Sequence, residues 1–299
     1  MGLLHILENV VTFPLRRSFR LGRGFGGTKV ILTGKWSDHV GSYMKWRAIH
    51  ELDLCYIHGF KSNGTYDFLL NLPSVRGLRI CDPSATDISA VNQLKGLRYL
   101  DIDLTHVSKV DLSNFRQLEL LRIDWFPGAE KLFQCVDLKE LAISKCPGKQ
   151  GSVPFANLSK LRRLWLSCCG LEEIENFKVM SELESLELLN MAHLQSLHGI
   201  EGLTNLKRLR IESCKNIGDI EPVRGLRNLE FLSVSDCGEI ASLDPVRNLT
   251  KLHTLQFYES TDIRDGKLDV LDALPKLRVI QFKNRKHYDR KREDFAQGR

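Results

Sequence analysis

Along most of this chain the apolar residues fall into one short phrase, Leu-x-x-Leu-x-Leu, which returns at a nearly constant step. Clear copies are Leu161-Leu164-Leu166, Leu206-Leu209-Ile211 and Leu229-Leu232-Val234. The middle apolar residue can be followed through eleven copies: Leu52, Leu78, Leu100, Leu121, Leu141, Leu164, Leu186, Leu209, Leu232, Leu255 and Ile280, at intervals of 20 to 26 residues. Inside each phrase apolar and polar positions alternate, which is the period of a half-buried strand. Gly, Asn, Asp or Pro follows, which ends the strand in a turn. A second apolar cluster, such as Pro222-Val223-Arg224-Gly225-Leu226, leads into the next phrase. One such unit cannot bury its own leucines, whereas stacked units share a continuous core.

A period of about 20–29 residues with this pattern is the signature of leucine-rich repeats, and the chain resembles that superfamily from about Ala48 to Lys283. Turns of the form Asn216-Ile217-Gly218-Asp219-Ile220, Ala85-Thr86-Asp87-Ile88 and Thr261-Asp262-Ile263 are similar to those of the short class in bacterial internalin-like proteins and phosphatase-regulatory subunits. The resemblance implies an α/β leucine-rich-repeat solenoid. It would have a curved parallel sheet on its concave face, short helices, 3-10 turns and loops on its convex face, and about eleven repeats between two caps. The expected division is an N-terminal lead and cap over 1–47, the solenoid over 48–283, and a C-terminal cap with a basic tail over 284–299. Within the first cap, 29–36 reads as a strand and 37–46 as a short helix carrying Val40, Tyr43, Met44 and Trp46 on one side. Trp36, Tyr43 and Trp46 are the aromatics available to cover the open core of the first repeat. The tract 16–27 reads as a mobile or extended lead.

Charge changes the picture at the ends. The net charge is +6 over 299 residues. Residues 1–50 hold eight Lys/Arg against two Asp/Glu, and residues 283–299 hold seven against three, which leaves the body at −4. Basic ends such as Arg16, Arg17, Arg20 and Arg23 or Arg290-Lys291-Arg292 could track phosphates, but a mildly acidic body argues against a nucleic-acid groove. The bland reading of both ends is solvated capping surface.

Eight cysteines raise the question of disulfides. Cys146, Cys169, Cys214 and Cys237 each lie three residues beyond the last apolar residue of their phrase. At that position the superfamily places an inward Asn or Cys, so these thiols are read as reduced, buried fillers. The opening MGLLHILENVV is too short and too interrupted for a secretory or membrane-spanning segment, and Ile6 stands where a myristoylation signal needs Ser or Thr. Reduced thiols and no such segment lead to a cytoplasmic expectation. Sequons at Asn63, Asn157 and Asn248 are explained by repeat chemistry at two of the three sites.

Signatures of catalysis are weak. Gly22-Arg23-Gly24-Phe25-Gly26-Gly27 satisfies a GxGxxG pattern, but a dinucleotide site needs a strand before it and a helix after it; a flexible glycine linker is the reading here. His193 and His198 are poorly spaced for one metal, and no HExxH or Cys-x-x-Cys occurs. No cofactor, metal or enzymatic activity is expected.

What remains is a surface. In Leu-x-Leu the middle residue points away from the core. On stacked strands these residues form columns with a spacing of about 4.8 Å: a central column from Asp53, Arg79, Asp101 and Arg122 onward, one two residues earlier containing Glu51, Gly77 and Tyr99, and one two residues later containing Cys55, Cys81, Ser235 and Tyr258. The alternating ladder Asp53-Arg79-Asp101-Arg122 can neutralise itself across strands or form the rim of a binding patch. Tyr99, Trp125, Trp165, Phe231 and Tyr258, interleaved with arginines, match the Trp/Tyr/Arg bias of binding hot spots. The candidate partner-binding residues are Tyr99, Asp101, Arg122, Asp124, Arg163, Trp165, Arg208, Arg210, Phe231 and Tyr258. The expected function is that of a monomeric, non-catalytic module binding another protein through its concave face, for example a bacterial immunity or inhibitor protein that neutralises a toxin. The alternatives are a regulatory subunit of an enzyme such as a phosphatase, or nucleic-acid binding through the basic termini.

Overall fold

The structure, a computed structural model, describes residues 18–104, 109–148 and 155–295. Expectations placed on the opening MGLLHILENVV, including Ile6, and on Arg16 and Arg17 lie outside these residues. The chain divides into two compact units, Met1–Leu138 and Lys139–Arg299.

In the first unit the strands are β1 (Phe19–Arg23), β2 (Thr28–Leu32), β3 (Glu51–Cys55), β4 (Gly77–Cys81), β5 (Tyr99–Asp103) and β6 (Leu120–Asp124), hydrogen-bonded in chain order. β1 runs antiparallel to β2, and every later pairing in the unit is parallel. The leucine phrase sets the register: Leu52 pairs with Leu78, Leu78 with Leu100, and Leu100 with Leu121. Short 3-10 turns at Asp67–Asn71, Ser89–Gln93, Leu112–Asn114 and Ala129–Gln134 carry the second apolar cluster of each repeat and return the chain to the sheet. Helix α1 (Asp38–Trp46) lies between β2 and β3 and buries Val40, Tyr43 and Met44. Its acidic Asp38 and basic Lys45 sit at the ends that the helix dipole favours.

Two expectations about this cap are corrected. The described part of the tract read as a mobile or extended lead is extended and carries β1, but its glycine run, read as a flexible linker, is the tight turn that joins β1 to β2. Trp46 is not core material: it is 65% exposed, with the Arg47 guanidinium 5.4 Å from its ring. Two residues beyond buried Met44, it has turned about 200° around the helix and faces outward. Trp36 instead stacks on Phe68 at 4.3 Å.

The second unit continues the pattern with β7 (Glu140–Ser144), β8 (Arg163–Ser167), β9 (Ser185–Leu189), β10 (Arg208–Glu212), β11 (Phe231–Ser235), the short β12 (Glu239–Ile240), β13 (Thr254–Phe257), the short β14 (Asp262–Ile263) and β15 (Val279–Phe282). β12 pairs only with β14, and the other seven form the parallel sheet. All eleven repeat centres, from Leu52 to Ile280, fall on the second residue of a strand. Leu141, Leu164, Leu186, Leu209, Leu232 and Leu255 are at most 2% exposed. Residues after β15 close the end of this core: the Tyr288 and Phe295 rings lie 6.0 and 6.3 Å from Phe282, and Tyr288 Oη donates to Asp262 Oδ1 at 2.9 Å.

β7, β8, β9, β10, β11 and β13 are each followed by the same device. Lys145, Cys168, Asn190, Ser213, Asp236 and Glu259 all have φ between 52° and 60°. From this left-handed conformation the amides of Lys145, Cys168, Asn190, Ser213 and Asp236 donate to a carbonyl of the following repeat at 2.8–3.1 Å. The next residue then turns inward. Cys169, Cys214 and Cys237 are buried there and donate their thiols to strand carbonyls at 3.2–3.8 Å. Burial pushes the Cys214 thiol up to about 11 and the Cys237 thiol up to about 12, so both stay protonated at neutral pH. All eight cysteines are free thiols. The left-handed positions are costly for a β-branched side chain. Cys168→Val should therefore lower stability by about 1–2 kcal/mol relative to Cys168→Asn. Denaturant titration of the two variants side by side checks this, and equal midpoints would refute it.

Candidate functional site

The sheet face opposite the leucine core carries the candidate residues, and the two units present it differently.

In the first unit the charge ladder exists as drawn from the sequence and is lengthened by one rung. Lys29 Nζ meets Asp53 Oδ2 at 2.7 Å, Arg79 lies 4.0 Å from Asp53 and 3.5 Å from Asp101, and Arg122 lies 3.9 Å from Asp101. The ladder is therefore self-neutralising, as cross-strand register allows. It is also stratified by depth. The Asp53 side chain is fully buried and Asp101 is 19% exposed, whereas Arg79 and Arg122 are 36% and 49% exposed. Burial pushes the Asp101 carboxyl up, against the opposing pull of Arg79 and Arg122.

Over this ladder lies the β1–β2 turn. The Glu51 carboxylate, buried at the start of β3, accepts the Phe25 amide at 2.8 Å and the Gly26 amide at 2.5 Å. The approach is close: a Cβ on Gly24 would sit 2.0 Å from Glu51 Oε2, so a side chain there would make the carboxylate shift. Pinned in this way, the Phe25 ring stacks on Tyr99 of β5 at 4.9 Å, and the Arg122 guanidinium of β6 lies 5.8 Å from the Phe25 ring centre. The turn and the strands beneath it enclose a cleft of about 440 Å³, lined among others by Arg23, Phe25, Glu51, Asp53, Arg79, Tyr99, Asp101 and Arg122.

Among the described residues, no such turn lies over the candidate residues of the second unit. Arg163 is exposed and pairs with Glu140. Trp165 is half-buried between Ala142 and Glu187, its register partners. Arg208 lies 3.9 Å over the Phe231 ring and 3.2 Å from Glu187, a stacked cation held by a carboxylate. Arg210 bridges Glu187, at 3.7 Å, and Glu212. Tyr258 is half-buried immediately after β13.

The structure thus gathers Tyr99, Asp101 and Arg122 around the first unit's cleft, with Asp124 at the end of β6. Arg163, Trp165, Arg208, Arg210 and Phe231 share one face of the second unit's sheet. Several positions assigned to the outward columns are not available to a partner. Glu51, Asp53, Cys55 and Cys81 are buried, the first by the turn it holds and Asp53 beneath Lys29 and Arg79. Ser233 and Ser235 are buried as well, being too short to rise above their longer neighbours. Among the described residues no group of three or more His, Cys, Asp or Glu is placed to hold a metal ion, and no helix is long and apolar enough to cross a membrane.

Comparison with known proteins bears on the architecture. No family model matches the sequence. No curated protein matches it either. Solved structures do: an internalin, InlF, from Listeria monocytogenes superposes with a TM-score of 0.53 at 19% identity, covering 74% of this chain and 73% of that one. The functional domain of InlJ from Listeria monocytogenes, described as including a cysteine ladder, gives 0.59 at 20% identity over 74% of this chain and 46% of that one. The plant peptide hormone receptor RGFR1 in complex with RGF2 gives 0.51 at 15% identity over 88% and 52%.

The fold is a leucine-rich-repeat solenoid. The chain spans about half the length of the InlJ and RGFR1 chains. Within the leucine-rich-repeat fold the feature that sequence reasoning missed is the turn over the sheet and its anchor, Glu51. A signal for it was present: Phe19-Arg20-Leu21 and Val30-Ile31-Leu32 flank a glycine-rich stretch, and two short apolar runs joined by glycines are a hairpin pattern.

Proposed function

We propose that the chain is a non-catalytic protein-binding module that works through the open face of its repeat sheet. The observation that carries this reading is the arrangement on the second unit: Trp165 half-exposed, and Phe231 capped by Arg208 at 3.9 Å. Aromatic and arginine side chains held on a strand array have already lost their freedom, so a partner that meets them bears little further ordering cost. The array over 48–283 would do the binding, with 1–47 and 284–299 as caps. A cytoplasmic inhibitor, such as an immunity protein occluding a toxin, is the narrower form we favour, since occlusion asks only for a rigid complementary surface. The similar plant receptor is solved with RGF2 bound, which is in keeping with a peptide or protein ligand here.

Capture from native lysate with the full chain, followed by variants, tests the reading. A stoichiometric protein should be recovered, and Trp165→Ser with Arg208→Ala should reduce its recovery by about tenfold or more, as expected of hot-spot residues. Val179→Ser, in the 3-10 turn Glu175–Val179, should leave it unchanged. Recovery of nucleic acid with a steep salt dependence, or of no stoichiometric protein at any salt, would overturn it.

A further inference from the structure

The cleft under the β1–β2 turn has a chemistry of its own. Its volume of about 440 Å³ is in the range of small-ligand sites, which run from roughly 300 to 1,000 Å³. It is preformed, because Glu51 fixes the turn and Phe25 rests on Tyr99.

Charge is sorted by depth within it. The three carboxylates lie low: Glu51 is held by the turn amides, Asp53 Oδ2 by Lys29, and Asp101 lies between two arginines. The guanidiniums lie at the mouth and are not held to the same degree. Arg122 approaches Asp101 no closer than 3.9 Å, which is too long for a hydrogen bond. Arg79, 36% exposed, lies 4.0 Å from Asp53 and 3.5 Å from Asp101 and hydrogen-bonds to neither. Arg23 makes no ion pair among the described residues. A solute entering the cleft therefore meets unspent N–H donors and the Phe25 ring, which is 52% exposed, before it meets any carboxylate.

We propose that this cleft is a binding site for a carboxylate carried on a flat apolar group, the carboxylate forked by Arg122 and Arg79 and the flat group laid against Phe25. Arginine suits this role because its planar fork matches a carboxylate and its face stacks on rings. Two sources share that chemistry: a small aromatic acid, and neighbouring acidic and aromatic side chains on a partner protein. The second rests on the protein-binding reading above, and the first does not.

The test is a titration of the full-length protein, followed through the backbone amide resonances of Gly24–Gly27, with three probes: benzoate, benzylamine, and a capped peptide containing adjacent Glu and Phe. Saturable shifts with benzoate, with the peptide or with both are expected, and none with benzylamine. Benzoate alone identifies a small acid as the ligand class, and the peptide alone identifies a partner's side chains. Arg122→Ala should weaken the responding probe at least about fivefold, and Arg122→Lys should weaken it too, because an ammonium cannot fork or stack. The Gly24–Gly27 resonances of the unliganded variants should stay in place, showing that the turn is intact. No saturable shift with either acid, benzylamine binding as well as benzoate, or an Arg122→Ala variant of unchanged affinity would each overturn the proposal. None of these outcomes bears on the capture experiment with Trp165 and Arg208, so the two readings fail separately.

Discussion

Replacing Leu209 by Ala should cost about 2–5 kcal/mol of stability, the range for deleting a fully buried leucine that leaves a cavity. Leu209 is 0% exposed and sits in register between Leu186 and Leu232. The stacking that gives each repeat its core also prevents that core from collapsing around a hole, since the backbone rungs on both sides are fixed by their own hydrogen bonds. The loss should be expressed through neighbouring repeats as well, because stability in such an array is a sum of unit and interface contributions. Leu209→Met keeps the volume and should cost less than about 1.5 kcal/mol. Urea denaturation of the three proteins measures both differences. A Leu209→Ala variant within about 1 kcal/mol of the parent would mean that this leucine is not at the centre of a shared core.

Glu51→Ala should release the β1–β2 turn without unfolding the sheet. The carboxylate accepts two amides at 2.8 and 2.5 Å, and hydrogen bonds to a charged group contribute about 1.5–3 kcal/mol each. Part of that gain is offset by the cost of burying the carboxylate. Even so, amide exchange at Phe25 and Gly26 should accelerate by at least about tenfold, the equivalent of 1.4 kcal/mol. Leu52 and Leu54, on the same strand, should keep their protection because their partners on β4 are untouched. Glu51→Gln, which retains one acceptor oxygen, should fall between. Hydrogen exchange resolved by residue distinguishes this local opening from global destabilisation. Unchanged exchange at the turn would show that Phe25 stacking alone holds it.

The contrast between these two residues shows what the sequence made legible. Leu209 belongs to a period, and a period is visible in a string of letters: all eleven centres were placed, and 37–46 was read as a helix that runs Asp38–Trp46. Glu51 belongs to no period. Its partners are 25 and 26 residues away, on a turn whose glycines look like a linker until an acceptor is found for their amides. The outward columns were read correctly in direction but not in depth. Asp53 is on the expected face and is nevertheless buried, because Lys29 and Arg79 close over it. Whether a side chain on an open face reaches solvent depends on the lengths of its cross-strand neighbours, and the alternation of apolar and polar letters does not carry that. The left-handed residues are hidden for another reason. Lys145, Cys168 and Glu259 are not turn-forming types, and tertiary packing holds them in a conformation that their own preferences disfavour.

Side-chain footprinting of the full chain, free and with its captured partner, is the most direct examination of how this protein works. Protection should appear on the open sheet face of the second unit, at Trp165, Phe231 and Tyr258. Leu70, Val136 and Val179, exposed outside the sheet, should react equally in both states. Protection of those three with the open face unchanged would contradict binding through the sheet.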